Sequence, residues 1–258
     1  MRQFGLIGRT LSHSFSQTYF TQKFYSLSLT EHEYELFELA TIAEFPALLA
    51  AHPNLVGLNV TVPYKETVMP YLDELAPSAN RVGAVNVIEC TPEGLLRGHN
   101  TDYVGFRNSL RRFFPIAPEA RALVLGTGGA AKAVVVALQE LGIAHWQVSR
   151  DPLAPGLTYA DLTPALVAAH SLIINATPLG TFPRTDECPL LPYHALTEHH
   201  YLFDLVYNPA ETLFMNKGKE AGAQVQNGFE MLCLQAEAAW DIWNGSLPNA
   251  SVQTARPV

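Results

Sequence analysis

A strand, a glycine turn and a helix follow one another at Leu123-Val124-Leu125-Gly126-Thr127-Gly128-Gly129-Ala130-Ala131-Lys132-Ala133. No other stretch restricts the fold as tightly. Three apolar residues read as a buried strand, and the G-x-G-x-x-A spacing then opens an apolar helix. That order separates a dinucleotide fingerprint from a chance cluster of glycines. Gly126 permits the tight turn, Gly128 lets the backbone approach a pyrophosphate, and Ala131 keeps helix and strand close. Thr127, Gly129 and Ala130 complete the cradle. The first-turn N–H groups and the helix dipole favour an anion there. The competing reading is a glycine loop that packs tightly and holds no ligand.

The signals around this unit repeat its alternation. A strand at Trp146 to Ser149, a helix around Pro164 to Ala169 and strands at Leu172 to Asn175 and Tyr201 to Val206 follow. A helix at Thr212 to Ala221, a strand at Gln224 to Gln226 and a last helix at Phe229 to Trp243 complete the series. The tail from Gly245 is polar and carries two prolines. The first hundred residues show a second such series. Phe4 to Gly8, His32 to Leu39 and Leu55 to Val62 read as strands, and Ala84 to Cys90 with Leu95 to His99 as a strand pair. Ser16 to Leu27, capped by Ser16, and Thr41 to Ala51, with Pro46 in its first turns, read as helices. Thr101 to Phe114, capped by Thr101 and closed by Pro115 and Pro118, joins the two series. The expectation is an α/β chain of two domains with a cleft between them, each built on a mostly parallel sheet.

Asn59-Val60-Thr61-Val62-Pro63-Tyr64-Lys65 is the most polar strand end of the first series. Alternation puts Asn59 and Thr61 on one face and the two valines on the other. Pro63 cannot donate to a ladder, so it ends the strand and leaves Lys65 just beyond, near the first turn of a helix. An amide, a hydroxyl and an ammonium at the carboxyl end of an apolar strand suit a small-molecule site. An edge strand with one wet face is the competing reading.

Composition removes other classes. The net charge of −8 and the absence of any basic run longer than Arg111-Arg112 argue against nucleic-acid binding. No segment approaches the roughly 20 apolar residues that span a membrane. Cys90, Cys188 and Cys233 are dispersed and form no CxxC pair, so neither a disulfide framework nor a metal site is expected. The N-terminus enters a strand without a signal-peptide pattern, and a cytoplasmic location fits. The triplets beginning at Asn244 and Asn249 are read as chance matches to a glycosylation signal.

On the nucleotide side, the next strand ends at Ser149-Arg150-Asp151, about 24 residues past Gly126. An acidic residue near that point bonds the ribose of NAD, whereas an arginine accommodates the extra phosphate of NADP. Both occur here, and no further basic residue follows within Pro152 to Gly156. The balance favours NADP and leaves NAD open. Asn175-Ala176-Thr177-Pro178-Leu179-Gly180 and Asp204-Leu205-Val206-Tyr207-Asn208-Pro209 end two more strands where a doubly wound sheet places ligands. Thr177 and Leu205 are cofactor-side candidates there, although Asn, Pro and Gly are also ordinary turn residues.

These segments match one family in order and spacing. With His13-Ser14-Phe15-Ser16, Gly83-Ala84-Val85-Asn86, Asn100-Thr101-Asp102-Tyr103-Val104-Gly105, Gly228-Phe229-Glu230-Met231-Leu232 and Gln235-Ala236, the chain resembles shikimate dehydrogenases over nearly its whole length. The resemblance implies reduction of 3-dehydroshikimate to shikimate with NADPH, and Lys65 and Asp102 as the catalytic pair. It implies that Ser14, Ser16, Asn59, Thr61, Asn86 and Gln235 hold the substrate, with Tyr207 nearby, and that Gly228 and Met231 lie beside the nicotinamide. It also implies a substrate domain of residues 1–101 and 229–258 and a Rossmann-like, NADP-binding domain of residues 102–228.

The chain departs from the family pattern at Thr10, Gln17, Thr181 and Ser149-Arg150-Asp151. The last departure leaves the cofactor open and keeps an NAD-using quinate/shikimate dehydrogenase as the alternative. A non-catalytic binding protein on the same scaffold is the other alternative. No metal, nucleic-acid or membrane partner is expected, and the chain is expected to be a monomer or a homodimer.

Overall fold

The computed structural model describes residues 1–11 and 14–245. His13 and the tail beyond Gly245 lie outside them. The chain forms two compact units, one of residues 1–80, 84–101 and the C-terminal stretch from Ala236, the other of residues 81–83 and 102–235.

The first unit carries strands β1 (Arg2–Gly8), β2 (His32–Glu38), β3 (Leu55–Val60), β4 (Glu74–Leu75), β5 (Val87–Cys90) and β6 (Leu96–His99), with helices α1 (Phe15–Ser26), α2 (Phe45–Ala51) and α3 (Tyr64–Thr67). The next helix, α4 (Pro77–Val82), spans the boundary at Asn80. The sheet order is β2-β1-β3-β5-β6-β4. The sheet is mostly parallel, as expected, with β5 alone among the described strands running against its neighbours β3 and β6. The short turn Thr91-Pro92-Glu93-Gly94 forces that reversal, since a parallel return needs a crossover.

Alternation sorts the core residues of this sheet onto two faces. Phe4, Leu6, Tyr34 and Val87 pack with Phe20 and Phe24 of α1 and with Ala236, Ala239 and Trp243. Ile7, Phe37, Leu58, Val60 and Ile88 pack with Phe45 of α2 and Tyr64 of α3. β3 lies between β1 and β5, so the edge-strand reading fails. It ends at Val60 rather than Val62, and Lys65 falls in the first turn of α3, as expected. The cap of α1 is Ser14, whose Oγ accepts the Gln17 N–H at 3.3 Å, and Ser16 lies within the helix. A tight 3-10 turn, Ile42–Glu44, precedes α2.

The second unit is wholly parallel. It contains α5 (Asp102–Phe113), β7 (Arg121–Leu125), α6 (Gly129–Glu140), β8 (Ala144–Ser149), β9 (Leu157–Thr158), α7 (Pro164–Ala168), β10 (Leu172–Asn175), β11 (Tyr201–Asp204), α8 (Leu213–Glu220) and β12 (Gln224–Gln226). The sheet order is β12-β11-β10-β7-β8-β9. Ala122 and Val124 face α5 and α6 through Phe106, Val134 and Leu138, whereas Leu123 and Leu125 face Val167 of α7 and Phe214 of α8. The last helix, α9 (Phe229–Trp243), serves both units, and its residues join the first unit from Ala236, not from 229.

The tightest close approach in the first unit is at Gly57. A Cβ built there would lie 2.0 Å from Trp243 Nε1, which donates to Ile88 O at 3.0 Å. Gly57→Ala must therefore push the indole off its hydrogen bond. The expected loss is on the order of 1–3 kcal/mol, read as a lower urea midpoint. An unchanged midpoint would show that the indole yields freely.

Candidate functional site

In the first unit the polar strand end is tied together by a residue that the motif reading passed over. Asn59 is 5% exposed. Its Oδ1 accepts the Tyr34 hydroxyl at 2.7 Å, and its Nδ2 donates to Asn86 O at 3.4 Å. Ser16 lies near the same phenol. Asn86 in turn donates through Nδ2 to Thr101 Oγ1 at 2.9 Å and accepts the Thr101 N–H at 2.7 Å. Asn100 Nδ2 donates to Ala84 O at 2.9 Å, which holds the neighbouring turn. Tyr34, Asn59, Asn86 and Thr101 therefore form one hydrogen-bonded chain from β2 across β3 to the turn before α5. Burial pushes the Tyr34 phenol far above its ordinary range, so it stays neutral and available as a donor.

The remaining candidates of this unit stand around that chain. The Thr61 N–H donates to Ile7 O at 2.9 Å, leaving its side chain half-buried past the end of β3. Lys65 is half-buried on α3, whose backbone is anchored where the Val85 N–H donates to Lys65 O at 2.7 Å. Ser14 is engaged as the cap of α1.

In the second unit Asp102 opens α5, buried, where the helix dipole favours its charge. Gly126 has φ +113°, and a side chain there would also crowd Ala176 O at 3.1 Å, so glycine is required twice over. Gly128 differs. It is the N-cap of α6 at ordinary φ, and a Cβ there would meet nothing within 4 Å. Packing within the protein does not require a glycine at Gly128, although glycine is a favoured N-cap residue. The tight-packing reading explains Gly126 but not Gly128. No side chain caps α6. Ala131 is fully buried against the sheet, while Thr127, Gly129 and Ala130 remain at least partly open.

This turn borders a cavity of about 460 Å³ together with Arg150, Asp151, Tyr159, Thr177 and Arg184. A second, more apolar cavity of about 440 Å³ shares Arg150, Tyr159 and Leu179 and adds Leu190 and Cys188. Thr177 is held by its hydroxyl, which donates to Asn175 Oδ1 at 2.6 Å. Behind it, Asp204 is fully buried and accepts three bonds: from Asn175 Nδ2 at 2.9 Å, from the Val206 N–H at 3.0 Å and from Thr212 Oγ1 at 2.5 Å. One carboxylate thus joins the ends of β10 and β11 and the cap of α8. The Leu205 N–H donates to Asn175 O, and the Gly228 N–H to Val206 O. Met231 packs in the core with Phe106. Gln235 Nε2 donates to Leu232 O at 2.9 Å, and Tyr207 is exposed. Among the described residues no three His, Cys, Asp or Glu side chains lie together as a metal site, and no helix is long and apolar enough to cross a membrane.

Sequence reading missed Tyr34, Arg184 and the Asp204–Thr212 pair. A tyrosine in an alternating buried strand signals a hydroxyl that needs a partner, but nothing in the sequence identifies that partner as Asn59.

The chain is similar to known proteins over nearly its whole length. A family model described as the shikimate dehydrogenase substrate binding domain matches residues 6–88. A shikimate dehydrogenase (NADP(+)) of Clostridium beijerinckii is 38% identical, covering 94% of this chain and 92% of that protein. The crystal structure of the Thermus thermophilus shikimate 5-dehydrogenase in complex with NADP(H) and shikimate superposes with a TM-score of 0.84 at 34% identity, over 96% of this chain and 95% of that one. A quinate dehydrogenase of Corynebacterium glutamicum in complex with NAD gives the same TM-score at 26% identity, over 96% and 95% of the two chains.

Two outcomes test this geometry. Tyr34→Phe leaves the buried Asn59 Oδ1 without its donor, and a loss of about 1–3 kcal/mol is expected in chemical denaturation. Burial raises the Asp204 carboxyl from 3.8 to about 6. An acid raised in the fold binds its proton more tightly folded than unfolded. Its contribution to stability is complete below about pH 3.8 and is lost as pH rises through about 6. Wild-type stability is expected to fall over that window relative to Asp204→Asn, measured by urea unfolding at several pH values; parallel pH curves would refute this.

Proposed function

The chain belongs to the shikimate dehydrogenase family, and from that membership we propose that it catalyses the reversible NADPH-dependent reduction of 3-dehydroshikimate to shikimate, a step towards chorismate and the aromatic amino acids. The full-length likeness carries this reading, because it spans both units rather than the widely shared glycine loop alone. The first unit is the substrate-binding one, consistent with the family model on residues 6–88, and the second holds the dinucleotide. Cytoplasmic residence as a monomer or homodimer belongs to the same reading.

The residues present fit the cofactor. The open backbone at Gly128, the uncapped α6 and the guanidinium of Arg150 suit a pyrophosphate and a phosphorylated ribose. Thr177, Leu205 and Gly228 stand at the strand ends on the cofactor side. NADPH, when bound, supplies the hydride. The protein's task is then to manage charge and proton. Negative charge grows on the former ketone oxygen, and Lys65 delivers a proton there and stabilises the charge, a contribution of typically about 10²–10⁴-fold. Asp102 is the carboxylate of the acid–base pair and accepts a substrate hydroxyl. Ser14, Ser16, Asn59, Thr61, Asn86 and Gln235 present neutral donors and acceptors to a polyhydroxy carboxylate. Tyr34 holds Asn59 in place for that role.

Asp151 beside Arg150 favours a second reading, in which NAD and quinate are also used. Absorbance of reduced nicotinamide, followed with shikimate and quinate and with each cofactor, separates the two. A protein that oxidises neither substrate but binds shikimate is a regulator instead. Lys65→Ala is expected to fold normally and to lose at least about 10²-fold in kcat. A near wild-type kcat would remove Lys65 from the chemistry.

A further inference from the structure

We infer that Arg184 is the second cation of the ribose-phosphate subsite, acting with Arg150 to select a 2′-phosphorylated adenosine over its 2′-hydroxyl counterpart. The inference deepens the cofactor reading above and rests on it.

The starting point is a shortage of charge. At the end of β8, Arg150 is followed directly by Asp151, and the loop from Pro152 to Gly156 carries no other basic residue. A guanidinium with a carboxylate beside it offers little net attraction for a phosphate dianion over a hydroxyl. The tertiary structure supplies the missing charge from elsewhere. Arg184 lies 34 positions on (184 − 150), in the turn after β10, and borders the same cavity as Gly126, Gly128 and Arg150. Its backbone is set there, with the Arg184 N–H donating to Thr181 O at 2.9 Å.

The side chain retains capacity for a ligand. Its ion pair with Glu187 is a single contact at 3.4 Å, on a guanidinium whose side chain is 68% exposed. Such a pair is worth little in water, and a guanidinium has five N–H donors, most of them still available to phosphate oxygens. The opposing charge is restrained. Asp151 borders the cavity, but its Oδ1 accepts the Leu153 N–H at 2.9 Å, so the carboxylate is engaged in its own turn. The pyrophosphate already has the uncapped start of α6, which leaves the two arginines for the 2′-phosphate.

The test compares the two cofactors in one protein. In Arg184→Ala, with shikimate as substrate, the ratio of kcat/KM for NADP to that for NAD is expected to fall about tenfold, which corresponds to about 1.4 kcal/mol. Arg184→Lys is expected to recover part of it. A ratio within about twofold of wild type overturns the inference, and so does an equal loss with both cofactors, which would put Arg184 on the pyrophosphate or on the loop's own structure. Calorimetric titration with adenosine 2′-monophosphate and with ADP needs no turnover. Loss of affinity in the variant for the former and not for the latter supports the inference even if shikimate is not the substrate. Equal affinity of wild type and variant for adenosine 2′-monophosphate refutes it even if shikimate is oxidised.

Discussion

A polar group buried at the end of a strand must find a partner, and both units of this protein are organised around that requirement. In the first unit the group is the amide of Asn59, closed in between β1 and β5. Left unpaired it would cost about 1–3 kcal/mol. Its partners come from β2 and from the turn before β5, so satisfying one amide aligns three separate pieces of chain. In the second unit the group is the carboxylate of Asp204. Desolvation opposes its charge, and donors from Asn175, Val206 and Thr212 oppose the desolvation. The loops bearing Thr177, Leu205 and Gly228 follow from where those donors lie.

The same arrangement holds polar side chains at each strand end, the capacity that a ligand needs. The Tyr34 phenol is neutral and spends its proton on Asn59, so the side chains on which the substrate reading rests are held without introducing a charge. At the dinucleotide end the capacity is electrostatic. An uncapped helix start and two arginines border one cavity, with one carboxylate engaged in its own turn. Neutral hydrogen bonds suit the hydroxyls of shikimate, and cations suit phosphates.

Much of this was legible beforehand. The glycine turn, the strand–helix alternation and the last helix stand where periodicity puts them, because local propensity and burial agree there. Departures occur where they do not. Ser14 rather than Ser16 caps α1, since both are good caps and only the chain's entry into the helix chooses between them. β3 stops two residues early because α3 begins at Tyr64, whose buried ring packs against the core. The two-residue strands β4 and β9 were invisible, being too short for any period to show.

Order along the chain by itself determined the family, the glycine cradle, the polar character of the strand ends and the identity of Lys65 and Asp102 as candidates. These are properties of neighbours in sequence, and spacing records them. Only the tertiary structure decided that Tyr34 serves Asn59, that Asp204 joins two strand ends to a helix cap, and that Arg184 borders the cavity of Arg150. Each brings together residues 8 to 34 positions apart. No period or local motif encodes such a pairing, because sheet order and strand length set it.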